Sequence, residues 1–460
     1  MKEQVSPELL ARHDSVGPRY TSYPTAVDFH TGYREAEYRK SLAAANLLGE
    51  APLSVYTHIP FCVKRCRFCG CHTFATTHHE VALPYLAHLE TEMERVAALL
   101  PDRRRVAQYH LGGGTPTYLL PEELLRLVAA FQRHFQFLPD AERAIETDPR
   151  VTTTAHLEAL ASVGFNRISM GVQDFDPEVQ KAIGRAQPRE ATTRLVESAR
   201  KHGFSGVNLD LIYGLPRQTE ESFARTIAEA IALGPDRVAV YSFAYLPSQR
   251  GHQRQIPVLD LPGRDEKFAL LAAAREGFMA AGYQAIGMDH FALPGDELAV
   301  AQRQGRLMRN FMGYTVMAGA DTIGFGVSAI GDVRGALVQN EKKLVHYYRM
   351  LDEGGLPVAR GYQRTADDEI RREVIHNLMC NFVVEREAIE SKHGIVFGEY
   401  LADSLAKLAP FLADGMCQID EKAVRAVGLG QVFVRNLAMC FDAHLEAKLS
   451  AKDPVFSRTV

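Results

Sequence analysis

The chain has 460 residues, 46% hydrophobic and 23% charged, which excludes wholesale disorder and leaves enough apolar mass for a large core plus at least one smaller domain. A formal net charge of -4 excludes the general basic field that non-specific nucleic-acid or anionic-membrane binding needs, leaving only local basic pockets. The polar start MKEQVSPELLARHDS is no secretory signal and no apolar run is long enough to span a bilayer, so the expectation is a cytoplasmic protein without membrane insertion.

Residues 1–50 read as an extended amino-terminal arm with a helix. In GPRYTSYPTA, Gly17, Pro18 and Pro24 argue against helix, so the segment is expected to cross another surface, with Arg19, Tyr20 and Tyr23 either reaching a ligand or simply packing. From residue 51 to about 290, short apolar runs alternate with amphipathic stretches. LSVYTHI, VAQYHL, RAIET, NRISMGV, GVNLDLIYG and RVAVYSFAY read as six buried strands, with a helical pattern between each and the next, several closed by glycine as at Gly164, Gly203 and Gly234. Such alternation requires a parallel sheet with right-handed crossovers. Six units are too few for an eight-unit barrel, so the expected fold class is α/β, an incomplete, splayed (β/α)6 TIM-like barrel with its active site at the carboxyl ends of the strands.

Residues 265–282 read as a further helix and YQAIGMDHFAL as a strand and loop. Residues 291–362, rich in glycine and without helical period, are expected to cover the barrel mouth, with Ile330 or Tyr314 facing a substrate or packed in a covering loop. From 363 to 460 the pattern is mainly helical and resembles a winged-helix domain. It lacks a dense basic helix face, so a lid or packing role is expected rather than nucleic-acid binding.

Four of the seven cysteines fall in CVKRCRFCGC, directly after the first strand. Thiolates at Cys62, Cys66 and Cys69 can bend around one soft metal centre, and three ligands on a 4Fe-4S cluster leave one iron open. The alternative is a four-thiolate zinc site that adds Cys71, although no second, separated cysteine arm exists to complete the usual zinc pattern. Cys380, Cys417 and Cys440 stand singly in apolar surroundings and read as packing residues in a reducing compartment.

Other polar signals also follow strands. Gly112, Gly113 and Gly114 precede Thr115 and would let a backbone pass close to a ligand, or form only a tight turn. Glu146 ends RAIET and is suited to a ribose. Gln173 follows NRISMGV, Arg185 follows a short helix, and Asp210 lies in NLDLIYGLP, where a pair with Arg185 would account for its burial.

The C-x3-C-x2-C spacing with Phe68 before the third cysteine resembles the cluster loop of the radical S-adenosylmethionine superfamily. In that superfamily the amino and carboxylate groups of S-adenosylmethionine chelate the open iron, and reductive cleavage yields a 5'-deoxyadenosyl radical. GPRYTSYPTA, HIPFCVKRCRFCGC, HLGGGTPTYL, IETDPR, RISMGVQDF, NLDLIYGLPRQT, GMDHFA and GVSAIG, in this order, resemble the oxygen-independent coproporphyrinogen III oxidases of haem biosynthesis.

That resemblance implies a radical-SAM partial barrel, one 4Fe-4S cluster on Cys62, Cys66 and Cys69, and two S-adenosylmethionine molecules. Tyr56, Gly113, Glu146 and Ile330 would line the first; Phe68, Gly114, Thr115, Gln173, Arg185, Asp210 and Ala244 would line the second. Cys71 would be important without being a ligand, and Arg19 would meet a substrate propionate, so Cys71, Arg19, Tyr56 and Ile330 are the catalytic candidates. The implied partners are a tetrapyrrole substrate and a low-potential donor such as a flavodoxin or ferredoxin system, acting on a monomer. Met312 stands where some members carry glutamine, and a thioether cannot donate a hydrogen bond. A related group of haem-binding chaperones shares the loop, but carries an aromatic residue at the position of Cys71 and lacks the GPRYTSYPTA arm. A radical enzyme acting on tRNA would want a basic RNA-binding module, and none is visible.

Overall fold

In the computed structural model, which describes residues 5–317, 319–449 and 456–459, the six expected strands all form. They are β1 (Leu53–Ile59), β2 (Arg105–Gly113), β3 (Gln136–Thr147), β4 (Arg167–Gln173), β5 (Gly206–Tyr213) and β6 (Arg237–Ser242). Each runs parallel to the next. Helices Ala82–Ala98, Pro121–Gln132, Thr154–Ser162, Arg189–Lys201 and Glu220–Ala232 return the chain between them. Their apolar stripes bury Leu86, Leu127, Leu157, Leu195 and Phe223 in one core with Val55, Tyr109, Ile145, Ile168, Leu209 and Val240 of the strands. The molecule is an α/β partial barrel. The main difference from the sequence pattern is at β3, which starts at Gln136, upstream of RAIET. Its first half is half-exposed and carries Pro139 and Asp140, which masks it in an apolar-run reading.

The barrel edges are extended rather than left open. β7 (Gln284–Ile286) and β8 (His290–Ala292) form a hairpin, with β8 antiparallel to β6. On the other side β9 (Thr322–Phe325) lies parallel to β1, and β10 (Ile330–Val333), β11 (Ala336–Asn340) and β12 (Val358–Gln363) continue in antiparallel order. One sheet results, ordered β12-β11-β10-β9-β1-β2-β3-β4-β5-β6-β8-β7. Much of the segment expected to cover the barrel mouth is therefore sheet, and it protects the otherwise unpaired edge of β1. Its periodicity is hidden by glycines the close packing demands: a Cβ on Gly324 would lie 2.7 Å from the Ile330 carbonyl oxygen. Between these strands and the barrel, Met308–Asn310 and Gly313–Thr315 pair as a separate small hairpin.

Beyond β12, helix Ala366–Asn381 opens a second core with a three-stranded antiparallel sheet of β13 (Val383–Glu385), β14 (Cys417–Ile419) and β15 (Ala423–Ala426). Cys380, Cys417 and Cys440 are all buried there. The helical stretch GEYLADSLAKLAPFLADG divides into Phe397–Tyr400, Ala402–Ala406 and Ala409–Ala413; Pro410 has no amide hydrogen with which to continue a helical ladder from the preceding turn.

The amino-terminal arm packs on this second core through Leu10, Tyr20 and Tyr23. The Tyr20 hydroxyl donates to Asp442, and the Tyr23 oxygen accepts from the Ala443 amide. Buried Arg435 donates to the carbonyls of Gly17 and Pro18, fixing the arm immediately before Arg19. No helix among the described residues is long and apolar enough to cross a membrane.

Arg103 joins the foot of β1 to the extension. It is 2% exposed, donates to the carbonyls of Ala45, Ala51 and Pro52, and pairs with Asp321 just before β9. Removing one partner of such a pair strands the other charge, so Arg103→Met is expected to cost about 3–5 kcal/mol. Denaturant unfolding checks the cost. Hydrogen exchange should show the first loss of protection over 322–325, and uniform loss across the sheet would contradict the assignment of Arg103 as the local tie.

Candidate active site at the cysteine loop

Beyond Ile59, HIPFCVKRCRFCGC arches over the carboxyl ends of the strands. Its base is fixed where the amides of Phe74 and Thr76 donate to the carbonyls of Pro60 and Cys62, at 2.7 and 2.9 Å. The Arg67 amide donates to Ile183 at 2.9 Å, and its guanidinium donates to the Ala182 carbonyl at 3.1 Å. At the tip, the buried amide of Gln253 donates to both Phe68 (3.1 Å) and Ala244 (3.0 Å), and His252 donates to the Cys69 carbonyl at 2.8 Å. Residues 74–76, 182–183 and 252–253 thus engage the loop's donors and acceptors, which holds its thiols in register.

Cys62, Cys66, Cys69 and Cys71 face a cavity of about 450 Å³. Arg19, Phe68, Gly113, Gly114, Thr115, Glu146, Gln173, Arg185, Asp210 and Ala244 line the same cavity. Two expected site residues do not. Tyr56, the one partly exposed residue of β1, lies against Gly112 beside Glu146, with its hydroxyl 2.8 Å from Nδ1 of His58. Ile330 opens β10 and lines a different, smaller cavity.

The electrostatics differ from thiol to thiol. Cys66 Sγ receives contacts from Arg150 and Arg185, each at 3.5 Å. Burial pushes the Cys62 thiol up to about 11, opposed by the Thr115 hydroxyl 3.5 Å away. A hydrogen bond from the Cys71 thiol pulls the Cys69 thiol down. Metal coordination deprotonates such thiols and offsets their burial cost. Three cysteines on one wall, cations behind one sulfur and a fourth thiol serving another fit a cluster held by Cys62, Cys66 and Cys69.

Glu146, the last residue but one of β3, is half-open to the cavity. Burial pushes its carboxyl up, but His110 at 3.2 Å and the Gly113 amide at 3.0 Å outweigh that and hold it below the usual range. It is a charged acceptor at ordinary pH. The expected pairing of Asp210 with Arg185 does not form. Asp210 accepts from Ser169 at 2.9 Å and Asn208 at 2.8 Å, while Arg185 pairs with Asp148 at 3.2 Å. The reason is topological: Arg185 also donates to the Gly171 carbonyl at the end of β4, which turns its guanidinium towards Asp148 and Cys66. Without a cation, Asp210 is pushed up by burial to about 6.

Asp148 and Arg150 were not singled out from sequence, although both lie in IETDPR. Gln253 and His252 carry no sequence signal, because their role is set by the packing of Gly251–Gln255 on the cysteine loop. The glycine triplet is explained by contact. A Cβ on Gly114 would sit 2.7 Å from the Phe61 carbonyl oxygen and 2.8 Å from the Pro60 backbone. Gln173 adopts φ 71° at a register shift between β4 and β5, a costly conformation for a non-glycine residue that turns it into the cavity.

A parallel partial barrel carrying C-x3-C-x2-C at its strand ends defines a radical S-adenosylmethionine enzyme, and residues 56–230 match the radical SAM superfamily. Oxygen-independent coproporphyrinogen III oxidase of Salmonella typhimurium is 46% identical over 452 residues, covering 98% of each chain. The Escherichia coli enzyme of that name is 45% identical over the same length and coverage. The solved structure of coproporphyrinogen III oxidase (HemN) from Escherichia coli, a radical SAM enzyme, superposes with a TM-score of 0.90 at 45% identity, covering 93% of this chain and 97% of that one. The chain belongs to the oxygen-independent coproporphyrinogen III oxidases.

The Asp210 environment has a pH consequence. Its carboxyl is raised from 3.8 to about 6, so between those values the native state binds more protons than the unfolded chain and wild-type stability falls as pH rises. Asp210→Asn is expected to melt higher than wild type above pH ~6, with the advantage disappearing below about 4. Melting midpoints across pH check this; an advantage confined to acid pH would contradict it. Gly114→Ala is expected to lose the loop arrangement and with it cluster retention, read from iron and sulfide content after anaerobic reconstitution.

Proposed function

We propose that this protein converts coproporphyrinogen III to protoporphyrinogen IX in haem biosynthesis, removing two propionate carboxyls as CO2 and leaving vinyl groups, with S-adenosylmethionine, reduced to methionine and 5'-deoxyadenosine, as the oxidant in place of molecular oxygen. The carrying observation is one cavity with the three-thiol loop on one wall and Arg19 of the amino-terminal arm on another, in a chain collinear with these oxidases over 98% of its length.

When bound, the reduced cluster and S-adenosylmethionine supply a carbon-centred radical that takes hydrogen from the propionate carbon next to the ring. The residues prepare that step. Cys62, Cys66 and Cys69 hold the cluster. Glu146 and the Gly113 backbone receive the S-adenosylmethionine on it, with Tyr56 supporting them from beneath. Phe68, Gly114, Thr115, Gln173, Arg185, Asp210 and Ala244 line the remaining wall, where we place a second S-adenosylmethionine.

Arg19 is aimed by its bond to the Ser242 carbonyl and meets a propionate carboxylate. Cys71, exposed at the cavity and bonded to Cys69, acts beside the cluster rather than as a ligand. Ile330 lies away from the cofactor wall, so its place is towards the substrate. The Met312 thioether lines the barrel interior, where it offers apolar contact and no donor. A low-potential flavodoxin or ferredoxin system supplies the electron, and the protein acts as a cytoplasmic monomer.

Anaerobic holoenzyme given reductant, S-adenosylmethionine and coproporphyrinogen III is expected to release CO2 and form protoporphyrinogen IX with 5'-deoxyadenosine. Tight haem binding without CO2 release would instead support a haem carrier. Cys66→Ala should lose iron-sulfur absorbance and activity together. Cys71→Ser should keep the absorbance and lose most decarboxylation, and loss of the absorbance in that variant would make Cys71 a ligand.

A further inference from the structure

We propose that the smaller cavity behind the barrel mouth binds a propionate carboxylate that the reaction leaves intact, through His376, Arg309 and Arg372. This rests on the decarboxylase reading above. The cavity, about 150 Å³, lies between the Met308–Thr315 hairpin, β9–β10 and helix Ala366–Asn381.

Its charged lining is Arg309, Arg334, Arg364 and Arg372 against Asp321 and Asp332, an excess of positive charge. Both carboxylates are already engaged: Arg364 grips Asp332 at 2.8 and 2.9 Å, and Arg103 holds Asp321. Two buried side chains nevertheless keep nitrogens without a partner. His376 is 4% exposed and neither ring nitrogen has a partner; Arg309 is 5% exposed and its Nε has none, although Nη1 lies 3.4 Å from Asp289. Arg372 reaches Asp332 at 3.9 Å and Glu369 at 3.7 Å, two long contacts that a closer acceptor in the cavity would replace. Buried donors without acceptors are costly, and a carboxylate is the acceptor that would satisfy an imidazole N–H and guanidinium groups together. Burial, then the positive fields of Arg372, Arg364 and Arg309, push His376 well down, which an incoming anion would reverse.

The position suits the substrate. Asn310, Met312 and Thr315 line both this cavity and the barrel interior, and Glu146, Asp210 and Tyr241 line both the interior and the cysteine cavity. The arm follows the same path: Arg19 faces the cysteine cavity, while Thr21 and Ser22 face the smaller one. A tetrapyrrole presenting one propionate to the cluster side would therefore have a separate cationic pocket for a propionate that survives into the product.

The test uses holoenzyme carrying His376→Leu or Arg372→Met. An apolar side chain in place of an unpartnered imidazole leaves no new orphan, so the leucine variant is expected to melt no lower than wild type. KM for coproporphyrinogen III should rise about tenfold to a hundredfold, with the effect on KM rather than kcat. An analogue with ethyl groups in place of the non-reacting propionates should be discriminated against by wild type and much less by either variant. Unchanged KM, or undiminished discrimination in variants that still release CO2, overturns this proposal alone. Wild-type holoenzyme that releases no CO2 overturns both readings.

Discussion

Anionic sulfur at the floor of a cavity needs fixed positive charge beside it, and here that charge comes from two guanidinium groups on one carboxylate. Arg150 and Arg185 both touch Cys66 and both bind Asp148, at 2.6 and 3.2 Å. Burial pushes Asp148 up, but its bond from Arg150 and the field of Arg185 outweigh that and keep it ionised. A buried ionic cluster of this kind contributes little net stability, because desolvation offsets the attraction. Its value is geometric. Asp148 and Arg150 follow β3, while Arg185 follows helix Pro177–Ala182 beyond β4, so the sulfur is flanked correctly only when both βα units are in register.

The loop's remaining contacts follow the same division. Ile183, next to the helix that delivers Arg185, accepts from the Arg67 amide, and Gln253 after β6 bridges Phe68 to Ala244. The segments after β3, β4 and β6 therefore each hold one point of the cysteine loop. The cluster environment is thus a property of the whole sheet rather than of the ten residues that contain the thiols. This also explains the backbone cost at Gln173: parallel strands end at fixed depths, and a left-handed residue at the register shift is a local way to turn a side chain over the rim.

The barrel was legible in the sequence because its strands are short, largely buried runs set between helical patterns; LSVYTHI coincides with β1 from end to end and is buried at six of its seven positions. The rim residues were legible because they stand immediately after such runs. β9 to β12 were not, since strands of four to six residues interrupted by Gly324 and Gly331 have too little period to register. The partner of Asp210 was misjudged for a different reason. Sequence identified a buried acid and a nearby arginine but not the orientation of the guanidinium, which depends on the Gly171 carbonyl. Residues such as Gln253 and His376 remain silent in a single sequence, because an amide or imidazole acquires its meaning from what packs around it.

The substrate side is built from the two ends of the chain. Arg435 spends its donors on main-chain carbonyls of Gly17, Pro18, Ser457 and Arg458 rather than on a carboxylate. A buried guanidinium ringed by carbonyls holds backbone rather than neutralising charge, and the backbone it holds leads straight into Arg19. The Arg19 guanidinium is then set by the Ser242 carbonyl at the end of β6, in the same cavity as the cysteine loop. The carboxyl-terminal core thus acts through the arm, holding the backbone immediately before Arg19. The six barrel units are flanked by further strands at both edges, and the arm adds Arg19 to the cavity at their ends.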